Sequence, residues 1–556
     1  MLQIFVTHNI RIRGASTPLR AAITKALTMD NPAYAASKKR GRRTWGIDKK
    51  IELYVPDRGD LVAPRGFLSE LEEILKTQGI TPSKAIVKRL TEGQPVDFGP
   101  WNPDYQLMAD QEPAVAAAVA ANGVLVAPAG SGKTVMGMRY IFEKGVPTLW
   151  LTHTQDLLYQ AKGEAEKMLK GVGRVGVLGD GKKDYGDGKL IVATVQTLQK
   201  NPDLIEGLKD IIGTVVVDEA HHFPAPAFIE VAGLFPAVNM LGVTATPERK
   251  DLLEVYMYKG IGPKVYEITR DGLYESGRLI KPEVKFIYTD FDQEQASDRN
   301  EIDSVDAGGE DMDYIALTND LINDQKRAKL VAETILDAAY GNYQIVITES
   351  VRYCYVLRDL VEKQALARWG TVPRLAVVHG PIQRYKWVRN YEPYGGFIEQ
   401  REKNGVTEYK VENYTAAEFD AWQITPKKRK DIMEQANGKQ IDILFATQLA
   451  REGLNMPHLS VGHMAMPKRG DASGSKNGAS VEQEIGRIMR PDRSNPDKKA
   501  VWYDYVDYGV GVYKSQYQSR RSVYRRLGLQ LPKKPRTEKD DIIDFLGSKN
   551  IFDLPL

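Results

Sequence analysis

Cysteine is all but missing. Cys354 is the only one in 556 residues, which excludes a disulfide within the chain, and no grouping of Cys and His has the spacing of a zinc site. Long apolar runs are absent as well: nothing approaches the roughly 20 residues of a membrane span, and no signal-peptide pattern opens the chain. A soluble, cytoplasmic protein is expected. An excess of one charge sign is also lacking, since 76 Lys and Arg against 73 Asp and Glu leave +3. The balance does not hold locally. In the first fifty residues eleven Lys and Arg face only Asp30 and Asp48, an asymmetry that predicts a polyanion partner near the N-terminus. A chain of this length exceeds one hydrophobic core and implies about three domains.

What is present begins with Ala127-Pro128-Ala129-Gly130-Ser131-Gly132-Lys133-Thr134. Val124, Leu125 and Val126 read as a buried strand and Val135 to Phe142 as the start of a helix. The glycines therefore stand at a strand-to-helix turn, where backbone N–H groups cradle phosphate. In such a loop Lys133 reaches the β- and γ-phosphates and Thr134 holds Mg²⁺. Thr214 to Val217, a second β-branched run, leads to Asp218-Glu219-Ala220-His221. It delivers Asp218, suited to the metal, and Glu219, suited as base for an attacking water, to the carboxyl end of the same sheet. A surface Gly-rich turn beside an ordinary acidic helix start is the bland alternative, and the order and context of the two motifs count against it.

Further short apolar runs at Thr148 to Leu151, Ile191 to Ala193 and Leu241 to Val243 predict a parallel sheet, the last closed by Thr244-Ala245-Thr246-Pro247. A second series follows at Gln344 to Ile347, Leu375 to Val378, Ile443 to Ala446, Val461 to Met466 and Val501 to Tyr505, without a phosphate loop. It carries instead Gln483-Glu484-Ile485-Gly486-Arg487-Ile488-Met489-Arg490-Pro491. As a helix this would set Gln483, Arg487 and Arg490 on one face. The two guanidiniums are then candidates for stabilising charge on a γ-phosphate, the alternative being a solvated basic helix.

With these motifs in this order, the chain resembles the superfamily 2 DEAD/DEAH-type helicases from about Gln111 to Asp507. Asp-Glu-Ala-His, Thr-Ala-Thr and Gln483 make it similar to phage branch-migration helicases, XPB-like helicases and the motor subunits of type III restriction enzymes. The resemblance implies an α/β fold with two RecA-like parallel-sheet lobes forming a helicase core, preceded by a small α/β N-terminal domain. It implies ATP and Mg²⁺ as cofactors, DNA (single-stranded, forked or branched) as partner, and the cytoplasm of a bacterial or phage-infected cell. Catalysis falls to Lys133, Asp218, Glu219, Gln483, Arg487 and Arg490, with Thr134 and Asp218 on the metal. Gln111, with Gln106 as rival, resembles the adenine-reading glutamine. The loop residues Ala129, Gly130, Ser131 and Gly132 join Gly453 and Asn455 in binding ATP, although Asn455 stands where an aspartate is common. Thr244, Thr246 and His221 match segments that couple hydrolysis to lobe movement. Thr152, Thr154, Thr194, Gln196 and Thr447 match DNA contacts, with Gln160, Thr197 and His379-Gly380 in the neighbouring segments. The implied activity is ATP-dependent DNA translocation with unwinding or branch migration. A duplex translocase that never separates strands, an RNA helicase and a DNA-binding adaptor with a vestigial ATP site stand as alternatives.

The expected division is residues 1–95 as a basic nucleic-acid-binding domain, 96–283 and 284–530 as the two lobes, and 531–556 as a tail. In the first, Arg40, Arg42 and Arg43 would neutralise phosphates, and Trp45 either stacks on a base or packs in a small core. Ile51 to Val55 reads as a strand and Phe67 to Leu75 as an amphipathic helix. An insertion is expected at 383–425, where Asn404-Gly405 signals a type I′ hairpin. Pairing outward sets Lys403 opposite Val406, Arg401 opposite Glu408 and Glu399 opposite Lys410, with Glu402–Thr407, Gln400–Tyr409 and Ile398–Val411 on the other face. An isolated hairpin is marginal, so it is expected to lean on the second lobe through that other face or through Trp387, Tyr391 and Tyr394. The tail ends Phe552-Asp553-Leu554-Pro555-Leu556, similar to bacterial sliding-clamp-binding peptides, with a tail folded back on the motor as the other reading.

Overall fold

The computed structural model describes residues 2–39, 44–128, 130–220, 231–245, 254–292, 310–389, 397–403, 406–447, 456–470 and 481–531. Its N-terminal strands alternate in burial: Ile4, Val6, Ile10 and Ile12 point inward, the period-2 pattern of a sheet with one covered face. The five strands run in the order Val55–Asp57, Asp60–Pro64, Asn9–Arg13, Gln3–Val6, Ile86–Lys88. Helices Thr17–Ala26 and Leu68–Thr77 cover that face with Leu19, Ile23, Leu71 and Leu75. The expected single strand over Ile51 to Val55 is corrected: Lys50–Glu52 pairs with Thr28–Asp30, and Val55–Asp57 joins the main sheet. Pro56 donates no ladder hydrogen bond, which suits the edge position this strand takes. The module is fastened to the following sheet. Thr91 exchanges backbone hydrogen bonds with Pro236 and Val238, Arg65 donates to the Val238 carbonyl at 3.1 Å, and Gly66 lies where a Cβ would come within 2.5 Å of the Gly262 nitrogen.

The next sheet has eight strands: Lys182–Gly186, Val175–Gly179, Leu190–Thr194, Thr148–Thr152, Thr214–Asp218, Asn239–Thr244, Gly123–Val126, Lys264–Glu267. All neighbours are parallel except the first pair. Strands such as Thr148–Thr152 and Thr214–Asp218 are buried along their whole length, as a sheet covered on both faces requires. A six-stranded parallel sheet follows, in the order Glu283–Tyr288, Val501–Val506, Leu459–Met464, Tyr343–Ile347, Ile443–Ala446, Leu375–Val378. The fold is thus α/β with two parallel-sheet lobes.

Between Leu375–Val378 and Ile443–Ala446 rises a three-stranded antiparallel sheet. Its hairpin Glu399–Lys403/Val406–Glu412 has the expected register, Arg401 facing Glu408 and Glu399 facing Lys410, with ion pairs of 2.6 and 3.0 Å. The turn residues 404–405 lie outside the described residues, as do Tyr391 and Tyr394. Trp387 is on a third strand, Tyr385–Arg389, with the Arg401 guanidinium 3.9 Å from its ring. The excursion is anchored to the second lobe by Arg352–Glu418 at 3.1 Å and by Tyr355 stacked on Trp422 at 4.5 Å.

Candidate functional site

Parallel register lines up the ends of the first-lobe strands. Thr194 pairs with Thr152, Asp218 with Val243, and Thr244 with Val126. The threonines, the acidic motif and the phosphate loop therefore share the carboxyl edge of one sheet, where open α/β sheets bind ligands. The chain leaves Val126, turns, and enters the helix Lys133–Lys144. Gly130 and Gly132 have φ of +86° and +82°, a left-handed conformation that side chains resist. Lys133 and Thr134 open the helix; Ala129 lies outside the described residues.

Lys133 Nζ stands 3.4 Å from Glu219 Oε1, with both side chains largely covered, 11% and 17% exposed. Asp218 ends its strand, buried, and accepts a hydrogen bond from the Glu219 N–H at 2.9 Å. Glu219 itself has φ +47°, a sparsely populated conformation for a residue with a side chain, of the kind that clusters at functional sites. Burial, and after it the neighbouring Glu219 charge, holds the Asp218 carboxyl well above the usual carboxylate range, with Lys133 opposing. A divalent cation placed beside the two acids would reverse that balance, its positive charge favouring both carboxylates.

The loop is gripped from outside. Gln111 is buried, its Nε2 donates to the Ser131 carbonyl at 2.8 Å, and its Oε1 accepts from the Met108 N–H at 3.0 Å. The amide expected to read adenine is here engaged with the phosphate loop, while Gln106 is exposed. Arg278 donates to the same Ser131 carbonyl at 2.7 Å and pairs with Asp110 at 2.5 Å. Sequence reading did not find Arg278, because no spacing rule ties it to a loop 147 residues earlier.

Among the other first-lobe residues, Thr152 and Thr194 are buried. The Thr152 hydroxyl donates to the Thr154 carbonyl at 3.2 Å, and that of Thr194 bonds Thr197 at 2.8 Å. Thr154 caps the helix Gln155–Met168, and exposed Gln196 donates to the His153 carbonyl at 3.1 Å. Thr244 is buried and its carbonyl accepts from the Ala127 N–H at 2.9 Å, so the strand Asn239–Thr244 touches the base of the loop. His221, Thr246, Gly453, Asn455, Arg40, Arg42 and Arg43 lie outside the described residues. Trp45 is 95% exposed, which removes the small-core reading.

In the second lobe the helix Val481–Ile488 carries Gln483 and Arg487 one turn apart, both half-buried. The expectation that Arg490 shares this helical face is corrected. The helix stops two residues earlier, because Pro491 disfavours helical backbone at the residue before it. Arg490 is nonetheless largely covered, and burial lowers the pKa of its guanidinium. Two acids on the same helix, also unforeseen, are buried in ion pairs, Glu484 with Lys468 at 2.5 Å and Glu482 with Arg270. Thr447 is nearly buried and donates its N–H to the Val378 carbonyl at 3.3 Å. His379 is buried against Tyr355 and the Gly380 carbonyl, with its pKa lowered by burial.

Among the described residues no helix is long and apolar enough to cross a membrane, and no group of three His, Cys, Asp or Glu forms a ready metal cage.

Two family models match the chain: "Type III restriction enzyme, res subunit" over residues 103–249 and "Helicase conserved C-terminal domain" over 397–492. A "Putative DNA 3'-5' helicase Rad25" of Halobacterium salinarum is 32% identical over 176 residues, 30% of this chain and 28% of that protein. "Probable helicase D10" of Escherichia phage T5 is 28% identical over 137 residues, 25% and 29% of the two chains. A "Putative ATP-dependent RNA helicase L396" of Acanthamoeba polyphaga mimivirus is 23% identical over 406 residues, 73% and 64%. The chain thus spans less than a third of the length of the first two of these relatives.

Proposed function

We propose that this chain, a superfamily 2 helicase by its two motor domains, hydrolyses ATP and couples the cycle to movement along DNA, with unwinding or branch migration in recombination, repair or replication. The observation that carries the reading is the meeting of Lys133 with Glu219, at 3.4 Å, beside buried Asp218 on the carboxyl edge of a parallel sheet. Gly130 and Gly132, both left-handed, give the loop the tight turn in which successive backbone N–H groups can cradle phosphate. The Thr134 hydroxyl and Asp218 carboxylate are hard oxygen donors and would hold Mg²⁺. When bound, Mg²⁺ neutralises charge on the phosphates.

The chain's own residues do the rest. Lys133 leaves Glu219 for the phosphates, and the freed carboxylate takes the proton of the attacking water. Gln483 positions that water, and Arg487 and Arg490 face the charge developing on the phosphate from the second lobe. Thr152, Thr154, Thr194, Gln196 and Thr447 line the DNA path through their loops, Thr244, Thr246 and His221 relay hydrolysis to it, and Arg40, Arg42 and Arg43 add a phosphate-neutralising patch. Gly453 and Asn455 complete the nucleotide pocket. Residues 1–95, 96–283, 284–530 and 531–556 act as DNA-binding module, two motor lobes and tail, in a cytoplasmic protein of a bacterial or phage-infected cell, and Phe552 to Leu556 docks on a sliding clamp.

An RNA duplex is the second reading, favoured by the breadth of the match to the mimivirus protein, 73% of this chain. Purified protein assayed for ATP-dependent strand displacement on forks, overhangs, four-way junctions and RNA duplexes separates the two. DNA displacement lost in Lys133→Ala supports the proposal, and displacement confined to RNA duplexes replaces it with the second reading.

A further inference from the structure

Residues 270–280 touch both halves of the proposed ATP site. They comprise the helix Arg270–Glu275 and the turn that leads to the first strand of the second lobe, Glu283–Tyr288. The turn is folded back on its helix, the N–H groups of Arg278 and Leu279 donating to the Leu273 carbonyl at 2.9 and 3.0 Å. Leu273 and Leu279 are buried in the same core as Ile488 and Met489. The segment is therefore a packed element and not a slack tether.

One end holds the phosphate loop. The Arg278 fork donates to the Ser131 carbonyl at 2.7 Å and pairs with Asp110 at 2.5 Å, with only 11% of the side chain exposed. Leu279 lies over the loop so closely that a Cβ at Gly130 would come within 2.8 Å of its Cδ2. The other end holds the arginine motif. The Ile280 N–H donates to the Met489 carbonyl, next to Arg490, at 2.7 Å. Arg270 is ion-paired with buried Glu482, on the helix that carries Gln483 and Arg487. Arg270 also donates to the Arg526 carbonyl at 3.0 Å, and the Tyr274 hydroxyl to that of Leu527 at 3.1 Å. These contacts fix the helix against the end of Gly511–Arg526.

We propose that residues 270–280 are a strut that sets the arginine motif against the phosphate loop, with Arg278 and Arg270 as positioning residues at its two ends. This rests on the ATP-hydrolysing reading above. One packed element thus holds both halves of the site, the loop through Arg278 and the helix of the finger arginines through Arg270. Because each end serves a different step, the two ends separate kinetically. Without the Arg278 hydrogen bonds the loop loosens and nucleotide binding weakens. Without the Arg270–Glu482 pair Arg487, which acts on the transition state, is misplaced.

The test uses the full chain, with titration of a fluorescent Mg-ADP analogue and steady-state ATP hydrolysis. Arg278→Ala is expected to raise the ADP Kd about tenfold and to change kcat by less than about twofold, the loss expected for charge-assisted hydrogen bonds. Arg278→Lys, which keeps the charge but not the fork, falls between. Glu482→Gln, nearly isosteric, is expected to lower kcat about tenfold and to leave the ADP Kd within about twofold. Thermal unfolding midpoints identify any variant that fails to fold, and the Lys and Gln substitutions keep the test open if the Ala variant does. An unchanged ADP Kd in Arg278→Ala, or equal movement of Kd and kcat in Glu482→Gln, overturns the strut. If the unaltered protein binds no nucleotide, the ATP reading and the strut fall together. If it binds and hydrolyses normally while the variants are silent, the strut alone falls.

Discussion

Replacing Glu219 with Gln changes two things at once, and the structure gives them opposite signs. Lys133 Nζ and Glu219 Oε1 are 3.4 Å apart, a Coulomb attraction of about 5 kcal/mol at an effective dielectric constant of about 20. Both side chains are partly hydrated and both were desolvated to meet, so the net worth of the pair is nearer ~1 kcal/mol. An incoming triphosphate must take Lys133 from Glu219 and so loses that amount; Gln removes the competitor, which corresponds to about fivefold tighter ATP binding. It also removes the charge that helps hold the Asp218 carboxyl high, making Asp218 a better metal ligand. Glu and Gln carry the same backbone cost at φ +47°, so strain does not confound the comparison. Turnover should fall by roughly 10²–10⁴ through loss of the general base. Equilibrium binding of ATP to the inactive variant and its steady-state hydrolysis, each against the unaltered protein, measure the two effects. Weaker ATP binding by Glu219→Gln, or turnover within tenfold of normal, would refute the reasoning.

Changing Arg40, Arg42 and Arg43 together to Ser should weaken DNA binding and flatten its dependence on log[salt], by up to about 0.9 for each duplex phosphate that is no longer neutralised; an unchanged slope assigns the module elsewhere. Replacing Ile398 to Val411 by a short Gly-Ser linker should preserve DNA-stimulated ATP hydrolysis but reduce strands separated per ATP, and unaltered unwinding would make the hairpin surface decoration. His463 is buried between the Tyr505 hydroxyl and Gln344 Oε1, and burial pulls its pKa down to about 3. Unfolded histidine titrates near 6.5, so the stability that neutral His463 contributes is complete above that pH and drains away as pH falls towards 3. The loss is about 2 kcal/mol by pH 5, and His463→Gln should remove one proton's worth of this slope in unfolding measured between pH 5 and 8.

The parts of the fold that could be read in advance are those where one physical rule acts alone. Thr214 to Val217 and Ile443 to Ala446 are buried on both faces and carry unbroken β-branched or apolar runs, and the Asn-Gly hairpin has its register set by complementary charge pairs. Val175–Gly179 escaped notice because glycine at 176 and 179 interrupts its apolar run. Its partner Lys182–Gly186 is a polar edge strand with no alternation to detect. In the candidate site, the meeting of Lys133 with Glu219 was legible because each motif follows a buried strand of one sheet. The contacts of Arg278, Arg270 and Glu482 were not, since they arise where distant segments pack together. Arg490 shows a local rule overridden by a nearer one, the following proline ending the helix that spacing alone would have continued.

The most direct test of the account is ATP hydrolysis by the purified chain with and without DNA, run beside strand displacement on a forked DNA substrate, for the unaltered protein and Lys133→Ala. The account predicts hydrolysis stimulated by DNA, fork separation that requires ATP, and loss of both in Lys133→Ala with DNA binding retained. Hydrolysis indifferent to DNA, or undiminished in Lys133→Ala, would contradict it.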